Sequence, residues 1–184
     1  MALHLKTRWK DETRDRSLGD VASALAAVAW RIALAKAINL HCERFVYRDD
    51  AQRLAVIQEY LAFLLQVADR LAFEALAEAE RRALIVEFAK RLCAHVQDNG
   101  EDLLGPGDHA AAFLARLNER SDEYAEFQLT DEGPSYAFLR HLGHTIQTLM
   151  GEADENRWVI DQVMDKDGWE AYQDFRRAYR NLLG

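Results

Sequence analysis

Histidine and cysteine are the metal-binding types that helical proteins use most, and the chain carries six of the first and two of the second. A ferritin-like di-iron centre needs Glu three residues before His on two helices, so that carboxylate and imidazole share a face. The residues in that position here are Met1, Ile38, Leu92, Pro106, Phe138 and His141, none of them Glu. HExxH is missing too, which removes the commonest helical zinc hydrolase. His41, Cys42, Cys93 and His95 have the right atoms for zinc. On a helix, however, Cys93 and His95 lie ~200° apart around the axis and point away from one another. Both cysteines are expected to be small buried hydrophobes. His141 and His144 are helical neighbours, but His144 falls opposite the apolar stripe and His141 on its flank, the pattern of a solvated face. No metal site is expected, and the sequence names no cofactor.

Nucleophilic chemistry finds as little support. There is no GxSxG elbow, and Ser17, Ser23, Ser121 and Ser135 have no diagnostic His nearby. The run Gly105-Pro106-Gly107-Asp108-His109-Ala110 has the outline of a phosphate loop, yet it joins two helices and puts a carboxylate where phosphate would sit. Asp98, Glu101, Asp102 and Asp108 lack the alternating ligands of a calcium loop. No catalytic residue is assigned, and the reading leans away from an enzyme.

Two groups of residues suit binding. Trp158, Trp169, Tyr172, Phe175 and Tyr179 concentrate large rings near the C-terminus, among Arg157, Arg176, Arg177 and Arg180. Aromatic residues and arginine dominate interface hot spots, so this stretch, with Arg176, is a candidate interface; the competing reading is that the rings fill the core. Lys36, His41 and His95 are the polar contributors to a ligand pocket between helices, since such pockets need only a few polar groups. Lys36 falls on an apolar stripe, which suggests a desolvated lysine facing an anionic ligand. The alternative, and the favoured one, is a stem that snorkels outward near the helix end.

The elements that would position these residues are helices. Alanine and leucine abound, and the only prolines are Pro106 and Pro134. No alternating β-branched run appears, so strands are not expected. Ser17 and Asp20 begin helix 1 over 18–45, with Leu18, Ala22, Leu25, Ala29 and Ile32 on one stripe. Asp50 caps helix 2 over 51–74, whose apolar residues cover more than half its circumference. Gln58, Glu59, Gln66, Asp69 and Arg70 fill its remaining, polar arc. Helix 3 spans 78–98 and stops at Asn99-Gly100. Helix 4 spans 109–128, capped by Asp108, and helix 5 spans 135–150, with Pro134 in its first turn. A shorter helix 6 starts at Asp154 and stops near Gly168, and the last helix covers 169–182.

The expected fold is therefore all-α, a single-domain bundle of six or seven helices with short connections over 17–184, preceded by a mixed-charge segment over 1–16 carrying Trp9. A net charge of -8, from 23 Lys and Arg against 31 Asp and Glu, disfavours nucleic acid as a partner. The start lacks the apolar core of a signal peptide. The longest charge-free helical run, Val21 to Trp30, is about half the ~20 residues that cross a bilayer. With few cysteines, a cytoplasmic protein free of membrane is expected. The functional expectation is a non-enzymatic protein–protein interaction or accessory module, with self-association as a homodimer among its forms. The alternative is a small-molecule or metal-binding bundle built on Lys36, His41 and His95.

Overall fold

A computed structural model describes residues 17–183, so the segment 1–16 and its Trp9 lie outside the described residues. Ser17 does what its position predicts. Its hydroxyl oxygen accepts from the Asp20 backbone N–H at 3.1 Å, satisfying one of the orphan donors at the start of α1 (Leu18–Cys42). Ala22, Ala26, Ala29, Ala33 and Ala37 are fully buried along one stripe of α1. Small side chains let neighbouring backbones approach, and α1 packs on the second, third and last helices. By length and mean hydropathy (1.6 over 18 residues) α1 would also suit a bilayer, but half of that window is buried inside the bundle.

Past α1, Arg44 adopts a left-handed φ of 76° and turns Phe45 back into the core. Asp49, one residue earlier than expected, caps α2 (Asp50–Ala75) by accepting from the Gln52 N–H at 2.7 Å. From Tyr60 to Ala68 every residue of α2 is buried, so it is the central rod.

α3 (Glu78–Leu104) runs six residues beyond the expected stop. Gly100 is inside it because His109 packs where a side chain would sit: a Cβ there would lie 2.5 Å from the His109 Cγ. The helix ends instead at Gly105, at φ 86°. Asp108 caps α4 (His109–Tyr124) as expected, through the Ala111 N–H at 2.9 Å.

Two short strands, β1 (Leu129–Thr130) and β2 (Gly133–Pro134), form an antiparallel hairpin in which Leu129 pairs with Pro134. This corrects the expectation of no strands. Pro134 therefore precedes α5 (Tyr136–Met150) rather than opening it, and Ser135 is the cap.

A 3-10 turn (Asp154–Asn156) leads to α6 (Val159–Gln162), a π turn over Val163–Asp167, and α7 (Gly168–Leu183). Gly168 is thus no stop; its N–H donates to the Val163 carbonyl, five residues back, and one rod continues from 159 to 183. Six helices of 15 residues or more enclose one contiguous apolar core among the described residues, which makes the fold an all-α bundle.

Candidate functional site

The C-terminal end of α2 emerges between the hairpin, α3, α4 and α7, and a trough runs around it. On one side is a groove of about 700 Å³, walled by Leu65, Phe73, Ile85 and Phe127. On the other is a cavity of about 290 Å³, walled by Leu71, Leu76 and the last three turns of α7. Glu74 and Leu129 line both, so the two adjoin at these residues.

Phe73 stands at the lip with 69% of its surface open to solvent, the guanidinium of Arg81 5.1 Å from its ring centre. Behind it the wall is fixed. Arg70 donates to the carbonyls of Tyr124 (2.6 Å), which also accepts from the Phe127 N–H, and of Phe127 (3.2 Å), just past the end of α4. It also bonds Gln66 and stacks 5.1 Å over Phe138, while Gln66 donates to the Ser121 hydroxyl at 2.9 Å. Burial holds Arg70 below its ordinary value.

On the opposite wall Tyr172, Arg176, Tyr179, Arg180 and Leu183 recur at helical spacing and share one face of α7. Tyr179 is 4% exposed, its hydroxyl has no hydrogen-bond partner among the described residues, and burial pushes it up to about 12. The Arg176 Nε is likewise buried and, among the described residues, unpartnered, with the guanidinium 5.8 Å from the Tyr172 ring centre. Among the described residues neither Arg176 nor Arg180 has an acidic partner within salt-bridge distance.

What sets this wall is a polar cluster at the π turn. Asp167 is fully buried; its Oδ1 accepts from Asn39 at 2.7 Å and faces Lys36 at 4.0 Å, and its Oδ2 accepts from Gln162 at 3.4 Å. Lys36 donates to Glu170 one turn further on. These bonds tie α1 to the start of α7 and so fix the rotation of the whole stripe. Tyr60 closes the cluster from α2, its hydroxyl buried without a partner among the described residues and raised well above its ordinary value by burial, with Asp167, Tyr47 and Glu170 adding to the effect.

Burial likewise raises the Asp167 carboxyl, although Lys36, Asn39 and Gln162 pull it back. A folded carboxyl that titrates above its unfolded value takes up a proton on folding. Stability must then fall as pH rises from near 3.8 to the raised folded value, at most about 1.4 kcal/mol per pH unit. Asp167→Asn lacks this loss. Urea unfolding between pH 3.5 and 7 should show the variant gaining on the wild-type chain through that window; a wild-type chain that gains instead would refute the sign.

The predicted site residues fare differently. Of the terminal group, Tyr172, Phe175 and Tyr179 are core residues, 1%, 0% and 4% exposed, which corrects their place on an exposed interface. Phe175 stacks 6.0 Å from Phe88, inside the bundle, whereas Tyr172, Tyr179 and Arg176 line the trough from within. Trp169 is half-buried against Tyr172, and Trp158 is 59% exposed beneath Arg157, away from the trough lining. Lys36 does not snorkel; it is 8% exposed and paired inward.

His41 is exposed, and His95 stacks 5.9 Å from Trp30, burial holding it below its ordinary value. Trp30, six residues before Lys36, lies ~240° around α1 from it. The expected trio is therefore not brought together by any recorded contact. Among the described residues no cluster of three His, Cys, Asp or Glu side chains could hold a metal. Cys42 is exposed and Cys93 half-buried, against the expectation that both sink into the core. His141 is not a bare surface group either: its Nε2 is 2.9 Å from Glu123.

The residues that sequence reasoning missed are Phe73, Asp167 and the hairpin. A signal for Asp167 exists. Val159, Val163, Asp167, Ala171, Phe175 and Tyr179 recur every fourth residue and are all buried. Such a repeat drifts ~40° per step in a regular α-helix, so holding one face for six positions requires an extra residue in a turn, which the π turn supplies.

The described residues form an all-α bundle with an open trough at the end of α2. Comparison with protein-family models, with curated proteins and with solved structures finds no match to the chain.

Proposed function

We propose that this chain is a cytoplasmic, non-enzymatic interaction module that seats an apolar segment of a partner protein in the trough, against Phe73. The observation that carries this reading is Phe73 itself, 69% exposed at the edge of a groove already walled by Leu65, Ile85 and Phe127. Water gains nothing from a ring in that position, while a partner side chain laid beside it would bury apolar surface on both sides. The Arg70 bonds support the reading because a pre-formed wall loses little freedom on binding. The acidic balance of the chain favours a protein over a nucleic acid as the partner.

Random peptides displayed on phage and selected on the immobilised full chain provide the test, with affinities read by fluorescence anisotropy. Phe73→Ala should weaken the selected peptides at least tenfold, the loss expected of a hot-spot ring. It should leave helicity and the unfolding midpoint nearly unchanged, since the ring packs little in the free protein. Selected peptides that bind Phe73→Ala as well as wild type, or a selection that yields none, would overturn the reading.

A further inference from the structure

We infer that the cavity on the α7 side of the trough is a carboxylate site, in which Arg176 and Arg180 receive an acidic group carried by the bound segment. This rests on the reading of the trough as a peptide-binding surface and names the chemistry of its occupant. Arg176 and Arg180 lie one turn apart on the same face of α7, the spacing at which two guanidinium groups can reach one ligand. Arginine is the side chain whose planar fork matches a carboxylate in two parallel bonds. Among the described residues neither guanidinium has an acidic partner within salt-bridge distance, so an entering carboxylate displaces no ion pair.

The cavity also discriminates. Glu74 and Asp131 line it from α2 and the hairpin, so its four charged side chains sum to zero. An anion at the α7 wall meets two cations across from two acids, so the net attraction is modest. A phosphate dianion doubles that attraction, but its desolvation cost grows as the square of its charge, so it gains less. At about 290 Å³ the space suits one apolar side chain with its carboxylate, and Leu71, Leu76 and Tyr172 supply the apolar lining. The carboxylate comes either from a chain end or from an Asp or Glu side chain.

The test uses the full chain labelled with ¹⁵N-arginine, titrated with four capped probes and read by NMR at the arginine Nε–H signals. N-acetylphenylalanine presents a terminal carboxylate, and N-acetylaspartyl-phenylalaninamide a side-chain one. N-acetylphenylalaninamide removes the charge, and phenyl phosphate doubles it. At least one carboxylate probe should shift the Arg176 and Arg180 signals saturably, at least tenfold more tightly than the amide and more tightly than the phosphate; which one does so identifies the source. The double substitution Arg176→Gln, Arg180→Gln should remove that tenfold advantage.

The inference falls if the amide binds as well as both carboxylates, if phenyl phosphate binds best, or if the double variant binds unchanged. Its failure is separable from failure of the functional reading. Selected peptides sensitive to Phe73→Ala but indifferent to both arginines would sink only the carboxylate site. Carboxylate binding at α7, with no peptide dependent on Phe73, would sink only the peptide trough.

Discussion

Gly133→Ala should destabilise the protein by about 3–4 kcal/mol and abolish peptide binding in the trough. Gly133 sits at φ 135°, a conformation essentially reserved for glycine, which costs another residue about 1–3 kcal/mol. A Cβ there would also lie 2.6 Å from the Trp169 Cζ3 and 2.8 Å from its Cη2, with the Tyr172 ring at 3.0 Å. Tyr172, 1% exposed, has no open space to retreat into, and overpacking of that kind costs about 1–3 kcal/mol more. The lowered entropy of the unfolded alanine chain returns only about 0.4–1 kcal/mol. Because the hairpin carries Leu129, Thr130 and Asp131 into the trough lining, displacing it changes the site as well as the stability.

Urea unfolding followed by circular dichroism measures the first effect, and anisotropy with a selected peptide measures the second. Gly19→Ala is the matched control. It lies in the first turn of α1, where the nearest atom to a new Cβ is the Ser17 Oγ at 3.7 Å, and should be neutral or slightly stabilising. A Gly133→Ala chain as stable as that control would remove the claim that the hairpin is locked on α7 by contact.

Helical periodicity made the bundle legible because burial of an apolar stripe is a local property of spacing. Ser17 and Asp108 could be read as caps for the same reason: the bond each makes reaches only three residues. What spacing does not carry is which residue from far along the chain arrives at a given spot. Asn99-Gly100 has the chemistry of a helix stop, yet His109 fills the space over Gly100 and α3 continues. Glu59 and Gln66 belong to a polar arc by composition, yet both are buried, because α4 supplies Arg120 to one and Ser121 to the other. Lys36 reads as a snorkelling residue until Asp167 and Glu170 arrive from more than a hundred residues downstream.

The same limit explains the site. The trough is assembled from the ends of α2 and α4, the start of α3, a hairpin and the last helix, and no local pattern brings those together. Of its α7 wall, Tyr172, Tyr179 and Arg176 are residue types that suit binding, and they line a cavity, the two tyrosines buried while doing so. Phe73 was invisible, since an aromatic residue near the end of an apolar helix gives no sign that it will be left outside.

The polar arc of α2 also carries the other large effect. Glu59→Gln should cost about 3 kcal/mol. Its carboxylate is 1% exposed and accepts two bonds from Arg120, at 2.7 and 3.1 Å, with the Arg116 Nε 3.6 Å away. Arg120 continues to Glu123 at 2.8 Å, and Glu123 to His141, so one chain of polar contacts joins α2, α4 and α5. Burial alone would lower Arg120, but the hydrogen bond and charge of Glu59, aided by Glu123, outweigh it and hold the guanidinium proton more tightly than usual.

Removing one partner of a buried pair costs about 3–5 kcal/mol because the other charge is left dry. The lower end applies here, since Arg120 keeps Glu123 and retains 13% exposure of its side chain. The penalty belongs to the stranded charge rather than to the pair. Glu59→Leu combined with Arg120→Leu should therefore recover more than half of the loss that Glu59→Leu causes alone, with Arg116, 26% exposed, turning to water. Urea midpoints of Glu59→Leu, Arg120→Leu and the double variant close the cycle. A double variant less stable than either single would mean that the pair itself holds α4 on α2, and that the apolar contacts around it do not suffice.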